Sequence, residues 1–232
     1  MKPAVAAFAV LALVASEATA ANAAQETETV TRTVAMPAGG TLDLKTFSGH
    51  VTITATDGND VTVHAVRRGT RRRLDRTRLE VRSSGSVVYV DANDHDSSFW
   101  TDTVVDNDLE IQVPRRANLR LTSFSAPIEV EGVDAAEIEA RTFSGRVELR
   151  LDRWQDHQRI DIKTFSGGVA LRIPENSRAH VDYNSFSGRL DSDLPLTLHS
   201  TSHRNLSAEL GSPEHAGELR IHTFSGGVKI TR

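Results

Sequence analysis

Hydrophobic and polar positions fall into one repeated register around six phenylalanines. With Phe47, Phe124, Phe143, Phe165, Phe186 and Phe224 aligned, five residues before each Phe stand Leu42, Leu119, Ile138, Ile160, Val181 and Leu219. Three before stand Leu44, Leu121, Ala140, Ile162, Tyr183 and Ile221, and four after stand Val51, Ile128, Val147, Val169, Leu190 and Val228. Alternation with period 2 on both sides predicts two half-buried strands per unit. The inward positions are odd before Phe and even after it, so the segment between the strands reverses parity and predicts a corner. That segment reads Thr or Ser, Phe, Ser, then Gly in five copies and Ala126 in the other. Glycine at a corner suggests a residue held at positive φ.

A two-strand unit of about 20 residues cannot bury its own apolar face, and stacking at about 4.8 Å per rung solves this. The predicted fold is all-β, a β-solenoid of two-strand rungs occupying residues 40–232 as a single domain. Between Phe47 and Phe124 the motif is absent, and strands are predicted at 61–66, 78–82, 87–90 and 109–113, with a short helical turn near 70–77. The stretch "RNLSAEL" reads as a worn copy with Leu206 in the Phe slot. The last copy, "TFSGGVKITR", is expected to close one end of the stack.

Composition changes the picture in three ways. The chain has no cysteine, which excludes disulfides, a thiolate nucleophile and Cys-ligated metal. A net charge of −4 over 232 residues gives no bulk attraction to nucleic acid. The start carries Lys2, an apolar run over 3–15 and Ala18-Thr19-Ala20, which predict a signal peptide over 1–20, cleavage after residue 20 or 24, and export to the periplasm or cell surface. Residues 21–39 are expected to form an N-terminal extension. No later segment is apolar enough for a transmembrane helix.

The repeated Thr-x-Ser-Gly corners, the segment "LEIQVPRRANLRL" at 109–121 and the exported start resemble the bacterial putative-adhesin domain family of unknown function. The likeness covers about 40–232 and is most specific over 109–230, although Phe in every corner departs from the family's mixed pattern. The resemblance implies a β-solenoid at the cell envelope.

Candidate chemistry is sparse. No catalytic, cofactor or metal motif stands out, so no catalytic, cofactor-binding or metal residue is assigned. Glu139, Asp161 and Asp182 all lie four before a Phe and suggest an acidic column, for which Arg141 and Lys163 are the expected partners. Six arginines, Arg67, Arg68, Arg71, Arg72, Arg73 and Arg76, form a basic block that either faces the acidic stretch 91–110 or docks an anionic polymer. The six Phe form an aromatic ladder, structural or partner-binding. Burial is the favoured reading, since six exposed rings would invite aggregation. The expected function is a structural or binding, adhesin-like role without catalysis, with an envelope glycan, lipopolysaccharide or a protein as partner and no nucleic acid. The alternative is a carbohydrate-active β-helix enzyme acting on an acidic polysaccharide. Sequence does not specify an oligomeric state.

Overall fold

A computed structural model describes residues 25–95, 104–202 and 204–232. The signal-peptide expectation falls outside them. In chain order the first elements are β1 (Gln25–Ala35), β2 (Thr41–Thr46), β3 (Ser48–Thr56), β4 (Asp60–Thr70), α1 (Arg71–Arg76), β5 (Thr77–Ser84), β6 (Val87–His95) and β7 (Asp106–Pro114). The repeats follow as β8 (Asn118–Ser123) with β9 (Ile128–Glu131), β10 (Glu137–Thr142) with β11 (Val147–Arg150), β12 (Arg159–Thr164) with β13 (Val169–Arg172), and β14 (Ala179–Ser185) with β15 (Leu190–Ser192). Last come β16 (Leu196–Thr201), β17 (Asn205–Leu210), β18 (Gly217–Thr223) and β19 (Val228–Thr231).

Each repeat places its first strand in one sheet and its second in the other, with the Phe corner between. One sheet runs β1-β4-β7-β3-β9-β11-β13-β19-β15 and the other β16-β17-β14-β18-β12-β10-β8-β2-β6-β5. The coils pair in parallel with equivalent slots opposite one another: Ile138 sits between Leu119 and Ile160, and Val147 between Ile128 and Val169. The inward ladders meet face to face. Leu42, Leu119, Ile138, Ile160 and Leu219 are at most 1% exposed, and each such side chain contributes roughly 1.5–3 kcal/mol by leaving water. Among the described residues every core residue lies between Met36 and Ile230. The architecture is a β-solenoid, as the periodicity predicts.

The structure corrects the expected order of the stack. The Phe224 coil does not close an end. β18 lies between β12 and β14, and β19 between β13 and β15, so residues 217–231 form the fifth coil and the earlier Phe186 coil the sixth. "RNLSAEL" is not a worn copy either. It is β17, which runs antiparallel to β14 and puts Leu206 opposite Tyr183, away from the Phe row. Beyond it β16 forms the sheet edge with most of its residues exposed.

At the other end hairpins replace coils. β4 pairs antiparallel with β7, β5 pairs antiparallel with β6, and α1 bridges the two sheets. The four strands and the helical turn expected over 61–113 are all present. Thr70 caps α1 by accepting from the Arg73 amide, and Leu74 is the buried residue of the helix. Residues 25–35, expected to lie outside the folded domain, pair along their length with β4 as β1. Their pattern carries little apolar signal because β1 is an edge strand exposed along nearly all of its length.

Candidate functional site

The corner explains its own sequence. The Thr or Ser before Phe points inward, and its hydroxyl closes the turn: Thr142 Oγ1 donates to the Gly145 carbonyl at 2.6 Å, Thr164 Oγ1 to Gly167 at 2.7 Å and Ser123 Oγ to Ala126 at 2.8 Å. Phe and the following Ser both face out, which is how parity reverses. The Ser amide then donates to the Phe carbonyl of the neighbouring coil, as Ser144 does to Phe124 and Ser166 to Phe143, both at 2.9 Å. Ser125 adds its hydroxyl to the Phe47 carbonyl at 3.0 Å.

Glycine is needed here for a different reason from the one expected. Gly145, Gly167, Gly188 and Gly226 do not have positive φ; of the corner glycines only Gly49 does, at 101°. They sit against the backbone of the next coil. A Cβ on Gly167 would lie 2.0 Å from the Gly145 carbonyl oxygen, and one on Gly226 would lie 2.0 Å from that of Gly167.

Outward orientation overturns the expectation that the Phe row is buried. Phe47, Phe124, Phe143, Phe165, Phe224 and Phe186 stack in that order with centroids 4.6–4.9 Å apart and rings within 5° of parallel. Each ring is still 39–51% exposed. The row extends roughly 24 Å at the rung spacing. Inside the row both faces of each ring are covered by neighbours, so the edges are what solvent meets. Arg204 lies over the outer face of Phe186, 4.3 Å from its centroid. A shallow groove runs beside the rings, its far wall formed by Arg141, Lys163, His222 and Asn184.

Half-exposure sets the expected cost of removing a ring. Phe165→Ala should lower stability by about 1–3 kcal/mol, from two stacking contacts and partial burial, below the 3–5 kcal/mol of a fully buried Phe. A chemical denaturation curve measures this, and a loss near 5 kcal/mol would mean the ring acts as core.

The acidic column is broken by the interposed coil. Along the stack the outward slots read Asp43, Arg120, Glu139, Asp161, Arg220, Asp182. Arg120 reaches Asp43 at 3.2 Å and Glu139 at 3.5 Å. Arg141 pairs with Glu139, and Lys163 with Asp161 at 3.0 Å, as expected. These carboxylates lie on the outer surface of a sheet.

Nor does the Arg block form a free basic face. Arg67 is only 4% exposed. It donates to Glu28 at 2.9 Å, to Asn107 Oδ1 at 3.3 Å and to the Thr77 carbonyl. Burial pulls its guanidinium below the usual range, and Glu28 opposes the shift. Arg68 pairs with Asp108, and Arg71 with Asp75 at 2.7 Å. Arg73 and Arg76 are engaged within the chain as well, while Arg72 is exposed on α1. Of these carboxylate partners Asp108 belongs to the acidic stretch 91–110, while Glu28 lies on β1 and Asp75 on α1. Residues 96–103 of the acidic stretch lie outside the described residues.

Residues 103–231, more than half of the chain, match the family model described as Toastrack DUF4097. The chain belongs to this family. The matched span takes in every coil from the Phe124 coil onward, so the Toastrack domain here holds five of the six ladder rings. No curated protein matches the chain. In fold, this Toastrack chain is similar to a putative cell adhesion protein from Clostridium sporogenes, with a TM-score of 0.64 at 9% identity over 88% of this chain and 99% of that one. A putative adhesin from Bacteroides fragilis aligns over 88% of this chain and 97% of that one at 8% identity, with a TM-score of 0.32.

Proposed function

We propose that this chain is a non-catalytic, adhesin-like binding protein of the bacterial envelope and that the Phe ridge is its contact surface. One observation carries the reading: six half-exposed aromatic rings lie in a single straight row. Soluble proteins rarely leave a continuous apolar strip bare unless something docks there. The apolar segment 3–15 followed by Ala18-Thr19-Ala20 supports export to the envelope. The names of the Clostridium and Bacteroides proteins agree with an adhesive role. Catalysis on a polysaccharide would need carboxyl groups set against each other across a cleft. Glu139 and Asp161 instead lie on a sheet surface with cationic partners.

The test is co-sedimentation with isolated bacterial envelopes. Phe143→Ser together with Phe165→Ser should abolish binding while the far-ultraviolet circular dichroism stays that of a β protein. Undiminished binding by the folded double variant would remove the ridge from the binding surface.

A further inference from the structure

The six corner segments 45–50, 122–127, 141–146, 163–168, 184–189 and 222–227 contain no Asp or Glu, although those residues make up 31 of the 232 in a chain of net charge −4. They do contain Lys45, Arg141, Arg146, Lys163 and Arg189, with His50 and His222 besides. The acids that neutralise Arg141 and Lys163 lie two residues further from the ring on the same strand. Arg146 and Arg189 are exposed on the other flank, and neither takes part in an ion pair among the described residues. The apolar ridge is therefore bordered on both sides by cations, on a protein whose overall charge is negative.

The rings narrow the choice of partner further. A sugar stacks on the face of an aromatic ring, and every face inside the row is taken up by a neighbouring ring, with Arg204 over the outer face of Phe186. The outer face of Phe47 alone is outside these contacts among the described residues. What remains along the row are ring edges, which carry the positive end of the aromatic quadrupole. A second copy of the chain is a poor fit: a strip one ring wide and roughly 24 Å long falls well below the ~800 Å² per partner of a stable interface. A surface that accepts a shallow apolar ridge and supplies negative charge along both flanks is the headgroup region of an anionic bilayer.

We propose that the ridge docks on the surface of an anionic lipid bilayer, with the Phe edges entering the interface and Lys45, Arg141, Lys163, Arg146 and Arg189 meeting lipid phosphates. This rests on the ridge being the contact surface and names what it contacts. The binding is peripheral, and it weakens with salt because exposed charges are screened.

Vesicle flotation tests it with the chain from Gln25 onward, which holds every described strand and core residue and leaves out the apolar start. Vesicles containing phosphatidylglycerol should carry the protein, and pure phosphatidylcholine vesicles should not. Arg146→Ser with Arg189→Ser, both exposed, should fold as wild type and bind at least tenfold more weakly, since each cation near such a surface contributes severalfold. Phe143→Ser with Phe165→Ser should abolish flotation, and a circular dichroism spectrum confirms that it is folded. Equal flotation by the arginine variant, flotation with phosphatidylcholine alone, or no flotation with either lipid would each overturn the proposal. So would ridge-dependent self-association in solution, which would make a second copy the occupant. Ridge-dependent binding to envelopes without vesicle binding would overturn the lipid assignment and leave the ridge as the contact surface.

Discussion

A chain shortened after Ala216 is expected to lose its native thermal transition. Removing residues 217–232 from a solenoid that ended there would trim one terminal rung and leave the rest. Here it takes out β18 and β19, which bond to coils on both sides. β12 and β13 lose their partners on one side, and β14 and β15 lose theirs on the other. Leu219, Ile221, Val228 and Ile230, all at most 2% exposed, leave the core together. Each buried side chain of this kind contributes about 1.5–3 kcal/mol, and the total stability of a domain is only about 5–15 kcal/mol. Deleting 25–35 instead removes an edge strand that is mostly exposed, and should leave a cooperative melt at a lower temperature. Thermal melts of the two variants side by side make the comparison. A transition at the wild-type temperature in the chain ending at Ala216 would contradict the interposed position of the last coil, whereas a cooperative melt far below it would report the Phe186 coil docked directly on β12 and β13.

The second large effect is expected from one methyl group. Gly167→Ala places a Cβ 2.0 Å from the Gly145 carbonyl oxygen, where no side chain can swing aside because the obstacle is backbone. Relief requires two coils to separate, which strains the inter-coil hydrogen bonds Ser166 N–H to Phe143 O at 2.9 Å and Val147 N–H to Gly168 O at 3.0 Å. The cost should be about 3 kcal/mol or more, at the upper end for overpacking. Gly85→Ala is the control: that glycine has positive φ, at 61°, but nothing lies within 4 Å of its Cβ position, so only the backbone penalty of about 1–2 kcal/mol applies. If urea denaturation ranks Gly85→Ala as the more damaging, close approach is not what these corners require.

Much of this fold is written in the period of its apolar residues. Alignment on Phe alone reproduces the register of the parallel ladders, because each slot pairs with the same slot of the next coil. Order along the stack is not legible in the same way. Leu219 fits against Ile160 as well as against Val181, since every coil presents the same inward pattern to both neighbours. Identical interfaces carry no information about sequence order, so the expectation that chain order would be spatial order had no basis in the residues themselves. Burial of the rings is favoured only by the aggregation risk of six exposed aromatics; alternation from the inward Thr points Phe outward, where the structure has it. Two consecutive outward residues, Phe and Ser, make the parity break. The cationic border was present in the sequence as the absence of acids near each Phe, a signal visible only when the corners are laid over one another. The Arg block is the denser basic feature of the sequence, and the fold spends it on Glu28, Asn107, Asp108 and Asp75.

The interchangeable coils leave a mark on the route to the native state. Residues 179–192 emerge from synthesis before residues 217–231, and they meet an open edge on β12 and β13 that suits them. Docking there would set Val181 against Ile160 and Phe186 against Phe165, pairings with the same apolar and aromatic character as the native ones. The native stack requires that berth to be empty when the later segment arrives, so premature docking must be undone. Repeat proteins commonly misassemble in this manner. Folding is thus a contest between two occupants of one edge, and a holding factor that delays the 179–192 segment would speed the chain to its final form without adding a single contact to it.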